Sequence, residues 1–168
     1  MNLGKNKMKR LLTRRGYERT FSKLGEMEKL LNEMTHRMSE VCSQSSETWH
    51  DNAPFDAIRD TAQQMEKQLK NLRGQMSNIE IMEYPRETNG TVRYGTKVTL
   101  ERDGTPVTYI IVGYGDENSA FRRVVYEAPI SQAIMGKKVD DEFTININNK
   151  PSRIKILGIS PIADSDLV

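Results

Sequence analysis

The sequence predicts an α+β protein: an antiparallel coiled-coil helical hairpin over residues 1–82, a linker over 83–89, and a small antiparallel β domain with one short helix over 90–168. Three observations carry this. Large apolar residues recur at alternating steps of three and four through Tyr17, Phe21, Leu24, Met27, Leu31, Met34, Met38 and Val41, and again through Phe55, Ile58, Ala62, Met65, Leu69, Leu72, Met76 and Ile79. The two stripes mirror each other: 41 pairs with 55, 38 with 58, 34 with 62, 31 with 65, 27 with 69, 24 with 72 and 17 with 79, each pair adding to the same total, as an antiparallel hairpin folding about position 48 requires. From Gly90 onward the period changes to strand-like alternation broken by turn residues.

Each element has its own local reason. Thr13 can cap a first helix running from about Arg14 to about Ser43, where Ser43-Gln44-Ser45-Ser46 breaks the stripe. Pro54 suits the first turn of a second helix that continues to about Met76, with Asp51 or Asn52 available as its cap. At 1.5 Å per residue the pair makes a rod about 40 Å long, and Glu47-Thr48-Trp49-His50-Asp51-Asn52 form its polar, acid-bearing tip. Glu83-Tyr84-Pro85-Arg86-Glu87-Thr88-Asn89-Gly90 carries Pro and Asn-Gly and reads as the linker. Strands follow at Thr91–Tyr94, Lys97–Arg102, Val107–Val112, Arg123–Glu127, Glu142–Asn148 and Ile154–Ile159, with Asp103-Gly104 as a hairpin turn. One helix interrupts them, Pro129–Met135, opened by its proline and closed by Gly136.

Composition bounds the function classes. At 168 residues, with 36% hydrophobic and 29% charged residues, the chain suits a water-exposed protein of one ordinary domain or two small ones. No apolar run is long enough to span a bilayer and the first residues lack a secretory core, so a cytoplasmic protein with no membrane partner is expected. The single Cys42 offers no internal disulfide and no zinc cluster, and is expected to pack beside the seam as a small apolar residue. The net charge of +2 hides a basic leader, with Lys5, Lys7, Lys9, Arg10, Arg14 and Arg15 and no acid in the first fifteen residues; it reads either as a phosphate-tracking run or as a solvated leader.

The C-terminal half resembles a known family. Three stretches, Val92–Leu100, Val107–Gly113 and Ala128–Phe143, the last reading Ala-Pro-Ile-Ser-Gln-Ala-Ile-Met-Gly-Lys-Lys-Val-Asp-Asp-Glu-Phe, are similar to the bacterial Gre transcript-cleavage factors. Leu12-Thr13-Arg14-Arg15-Gly16-Tyr17-Glu18 also looks like that family's opening. The resemblance implies an FKBP-like C-terminal domain behind a coiled-coil hairpin, and bacterial RNA polymerase as partner. It further implies that the C-terminal domain binds the rim of the polymerase's secondary channel, and that the tip enters the channel near the RNA 3′ end. Pro129, Ile130, Ser131, Gly136 and Lys137 are the polymerase-binding residues expected from the matching segment.

The same resemblance implies that acidic tip residues help to hold a second magnesium ion at the polymerase's active site, so that backtracked RNA is hydrolysed there. Two metals can stabilise the attacking and leaving oxygens of such a displacement. This chain would act as an accessory without a cofactor of its own, Mg2+ being shared with the polymerase, and as a monomer. Asp51 falls on the family's second acid position, one methylene shorter than its glutamate, whereas the first acid position falls on Thr48. Glu47 lies one residue earlier, so Asp51 and Glu47 are the candidate catalytic acids, with Asp51 the metal contact within the complex. Thr48, Trp49, His50 and Asn52 are the remaining candidate tip contacts. Asp51 also suits a helix cap, Trp49 a hydrophobic cover over the seam end, and His50 a solvated turn residue.

Three other functions remain open at this level. Thr48 in place of an acid suits a channel-occupying regulator that does not stimulate cleavage, because a hydroxyl cannot neutralise a metal. An FKBP-like fold would suit a peptidyl-prolyl isomerase, although fold alone is weak support. A free-standing nucleic-acid binder is disfavoured by the near-neutral charge outside the leader. Arg122, Arg123, Lys137 and Lys138 are expected at loops of the β domain, either solvated or pairing with a partner's acids, and His36 off the seam. Tyr94, Tyr109, Tyr114, Phe121, Tyr126 and Phe143 are expected mostly in the core.

Overall fold

The computed structural model describes residues 9–44, 53–147 and 150–167. The chain forms two compact units, Glu18–Ile79 in one, and Arg10–Tyr17 together with Glu80–Val168 in the other.

Most of two helices makes up the first unit. Helix α1 runs over Arg14–Gln44, 31 residues, and α2 over Ala53–Met76, 24 residues. Glu28 meets Arg73, while Leu31 and Asn32 share a groove with Glu66, Leu69 and Lys70, so positions rise on one helix as they fall on the other: the pair is antiparallel. Only Ala62 and Leu69 of the stripe are buried, and most of the others are half-buried, which is what a two-layer rod permits. Phe21 departs from the expected seam and is 60% exposed. Cys42 is exposed rather than packed beside the seam, and His36 is exposed beside Glu40 at 3.3 Å.

Two short strands lie outside the expected elements. β1 (Arg10–Leu12) precedes α1, β2 (Ile79–Ile81) follows α2, and the two pair with each other. Ile79 therefore ends the apolar stripe as a strand residue, not a helical one.

The second unit is a five-stranded sheet of β3 (Thr96–Arg102), β4 (Thr105–Val112), β5 (Arg123–Val125), β6 (Glu142–Ile147) and β7 (Lys150–Pro161), in the order β5-β4-β3-β7-β6. The turn between β3 and β4 is the expected one. Asp103 and Gly104 both take positive φ, 49° and 83°, and Arg102 pairs with Thr105. The sheet is antiparallel except at one edge, where β5 pairs parallel with β4, Ile110 opposite Arg123. A hairpin would have reversed the chain; here residues 113–122 carry it back through a 3-10 turn at Ser119–Phe121 before it re-enters. The expected strand at Thr91–Tyr94 is a single bridge between Thr91 and Lys138.

Helix α3 (Pro129–Ile134) covers one face of this sheet. Val92, Val98, Leu100, Ile111, Ile134, Ile154 and Ile156 are all at 1% exposure or less and form the core, with Tyr109, Tyr126, Ile130 and Phe143 packed against it. Phe121 does not join the other aromatic residues inside; it is 59% exposed.

Candidate functional site

Asp51, Glu47, Thr48, Trp49, His50 and Asn52 lie outside the described residues. Among the described residues no group of three or more His, Cys, Asp or Glu side chains could hold a metal ion. The geometry that can be built is in the second unit.

The first part of it is the α3 corner. Ala128 is extended at the N-cap, Pro129 occupies the first turn where a missing N–H costs nothing, and the Gln132 N–H closes the turn on the Ala128 carbonyl at 2.9 Å. Gln132 Nε2 donates back to the Tyr126 carbonyl at 2.8 Å. Gly136, at φ +77°, turns the chain so that its N–H donates to the Val92 carbonyl while the Val92 N–H donates to the Lys137 carbonyl, both at 2.8 Å. Lys137 directs its ammonium over the Phe143 ring at 4.8 Å. Of the five residues expected to meet a partner, Pro129 and Gly136 are exposed, and Ile130 and Lys137 are half-buried. Ser131 differs from these four: it is fully buried and adds nothing to the exposed strip. Lys138 and Val139 extend the exposed strip, Val139 at 44%.

The second part is a buried acid that sequence reasoning missed. Asp116 is 4% exposed, and its Oδ2 accepts from the Thr13 hydroxyl at 2.5 Å and the Tyr84 hydroxyl at 2.8 Å. Thr13 is also the expected cap of α1, its Oγ1 accepting from the Gly16 N–H at 2.9 Å. Tyr84 in turn accepts from the Gly113 N–H at 3.0 Å. The Leu11 N–H donates to the Tyr126 hydroxyl at 3.0 Å, Tyr114 and Tyr126 both donate to Glu127, and Arg10 lies over Tyr114 at 5.2 Å. Burial pushes the Tyr84 and Tyr94 phenols far above the usual tyrosine range, the Asp116 charge adding to both. Burial and Glu127 raise Tyr114; burial, more than the Glu127 charge, raises Tyr126. These phenols are donors, not bases. The arrangement fastens the first turn of α1 to the Gly113–Asp116 loop. Gly16 is part of the fastening, since a Cβ there would stand 2.4 Å from the Tyr114 carbonyl oxygen.

Residues 87–161 match the family model described as "Transcription elongation factor, GreA/GreB, C-term". The chain is 31% identical over 125 residues to the transcription elongation factor GreA of Rickettsia felis, across 68% of this chain and 77% of that protein. The chain belongs to the GreA family. It is also 30% identical over 98 residues to the GreA of Zymomonas mobilis, a match spanning 58% of this chain and 62% of that protein's length. Among solved structures it is similar to GreA factor homolog 1 (Gfh1) of Thermus thermophilus, at 21% identity and a TM-score of 0.43 over 90% of this chain and 98% of that one. The family assignment rests on the sequence relatives. The Thr13–Gly16 opening and the Pro129–Gly136 segment, the two places where the resemblance is most visible in the sequence, are the helix root and the α3 corner.

Proposed function

We propose that this protein binds bacterial RNA polymerase through the α3 corner, enters the secondary channel with its helical hairpin, and stimulates cleavage of backtracked RNA. It does so as an accessory to the polymerase's active site, not as an enzyme itself, and acts as a monomer in the cytoplasm. The observation that carries the reading is the position of one carboxylate: Asp51 stands in the segment between a 31-residue and a 24-residue antiparallel helix, in a chain of the GreA family.

Asp51 and Glu47 could supply at most two carboxylates, too few to hold magnesium alone and enough to complete a site that another protein provides. Magnesium, when shared in the complex, stabilises the attacking and leaving oxygens of the phosphodiester displacement. This chain's part is to present the Asp51 carboxylate, with Glu47 near it, beside the RNA 3′ end. The α3 corner would keep the factor seated meanwhile, through the exposed Pro129, Gly136 and the neighbouring Lys137.

One observation favours a second reading. Thr48 stands where the family places its first acid, and a hydroxyl orients water but carries no charge. On that reading the protein occupies the channel and changes pausing or nucleotide addition without shortening the RNA. A stalled, backtracked elongation complex with magnesium separates the two: shortened, extendable RNA appearing faster with the protein supports cleavage, and its loss in Asp51→Asn assigns the role to that carboxylate. An unchanged RNA length, with binding shown by competition against an authentic cleavage factor, makes it the channel-occupying regulator.

A further inference from the structure

Three consecutive residues of the second unit each carry a cost that the fold alone does not repay. Phe121 ends the 3-10 turn with 59% of its surface exposed. Arg122 takes the left-handed backbone, φ 52°, a conformation that a glycine would adopt freely. Arg123 is 6% exposed, and its Nε and Nη1 have no hydrogen-bond partner among the described residues. A buried guanidinium with unmet donors is among the more expensive things a protein can hold.

The surroundings show why it stays unmet. The backbone here is satisfied, with Arg123 and Asn118 exchanging N–H and carbonyl at 2.9 and 3.0 Å, and the Ile110 N–H donating to the Arg122 carbonyl at 3.1 Å. Arg123 sits opposite Ile110 on β4, which sits opposite Lys97 on β3, so the three share a sheet face. On that face Lys97 pairs with Asp166 at 2.7 Å, and Glu142, two strands beyond β3, pairs with Arg153 and Lys155. The Phe121 ring covers the guanidinium at 5.2 Å and is itself 59% exposed.

We propose that Phe121, Arg122 and Arg123 form a docking point for an aspartate or glutamate side chain presented by a protein partner. The carboxylate meets the Arg123 guanidinium as the Phe121 ring swings aside to pack on the partner, and the exposed Arg122 steers its approach. Arginine and aromatic residues at a desolvated point are the usual anchors of protein interfaces. A nucleic-acid backbone suits the place less well. Residues 116–127 carry Asp116, Glu117 and Glu127 against two arginines, so the stretch lacks the dense positive charge that a phosphate backbone requires. Resting on the functional reading above, the partner is RNA polymerase.

Titrating sodium acetate into the full chain while following the Arg123 side-chain N–H resonances by NMR tests the site without any partner. The resonances are expected to move saturably with acetate and not with sodium chloride at equal ionic strength. Arg123→Met is expected to melt at or above the wild-type temperature, since it removes an unmet buried charge, and to bind polymerase about tenfold more weakly. Resonances that ignore acetate, or answer only to inorganic phosphate, overturn the proposal. So does an Arg123→Met protein that unfolds or melts well below wild type, because the guanidinium would then already be satisfied within the chain, and so does undiminished polymerase binding by that variant. If the wild-type protein fails to bind polymerase at all, the functional reading falls, and the acetate titration still decides the site.

Discussion

The two units hold themselves together in different ways. In the hairpin, apolar residues are shared along two helices with water on most sides, and among its described residues only Ala62 and Leu69 are buried. In the sheet unit, seven side chains at 1% exposure or less converge between α3 and the strands. A long thin unit spreads its stability along its length, so no one side chain decides it; a compact one concentrates it. Leu100→Ala and Leu72→Ala test this most directly. The first removes a fully buried side chain from the sheet core and is expected to cost about 3 kcal/mol, the second a half-buried one and about 1 kcal/mol. Urea unfolding followed by circular dichroism measures both. Equal costs would mean that the hairpin is packed as tightly as the sheet.

A sharper contrast comes from one substitution made twice in α1. Alanine at Gly16 would place its Cβ against the Tyr114 carbonyl at 2.4 Å, so the cost of moving that backbone, about 2 kcal/mol, outweighs the better helix propensity. Alanine at Gly25 meets nothing within 4 Å and is expected to raise stability by up to about 1 kcal/mol. Opposite signs within one helix would show that its root is fixed by the sheet unit's loop and its shaft by ordinary helical preferences. Melting temperatures of the two variants decide it, and a stabilising Gly16→Ala would remove the fastening from the account.

This contrast also marks what the sequence could show. The stripes, the Thr13 cap, the Asp103-Gly104 turn and the Pro129 to Gly136 helix were legible because each depends on neighbours within one or two turns of chain. Phe21 misled because the stripe gives a face of the helix, and a residue on that face can still stand 60% exposed on a two-helix rod. β1 and β2 were hidden because each is three residues long and its partner lies beyond both helices; Ile79 even continues the helical period. Asp116 left no periodic trace at all. A buried acid in a glycine-bearing loop becomes visible only when the fold brings Thr13 and Tyr84 to it. The candidate acids Asp51 and Glu47 were legible solely through the family resemblance, since nothing in local pattern separates a metal-positioning carboxylate from a helix cap.

High pH should separate the units again. Tyr84 and Tyr94 hold their protons far above the usual range because they are buried, whereas the unfolded chain releases them near pH 10. The folded state then binds more protons than the unfolded one, so stability is intact below about pH 10 and falls as pH rises above it. The Tyr84→Phe, Tyr94→Phe double variant is expected to be less stable at pH 8, having lost its hydroxyl bonds, and to show a shallower decline of melting temperature between pH 10 and 11.5. An unchanged slope would mean that other groups govern the alkaline limit.

The smallest effect is expected at the most conspicuous contact of the hairpin. Arg73 donates to Glu28 at 2.7 Å through Nη2 and at 3.2 Å through Nε, but the two side chains are 59% and 37% exposed. Water and salt screen such a pair, and holding two long side chains in one geometry costs entropy, so Arg73→Ala should cost no more than about 0.5 kcal/mol and less at 0.5 M salt. Chemical denaturation at low and high salt measures it. A loss above about 1.5 kcal/mol that persists in salt would mean that the arginine's carbon stem, lying along the groove with Leu31 and Leu69, supplies packing that the exposed seam otherwise lacks. In that case the hairpin would be stabilised as the sheet is, by buried carbon at particular points, and the contrast between the two units would narrow to one of degree.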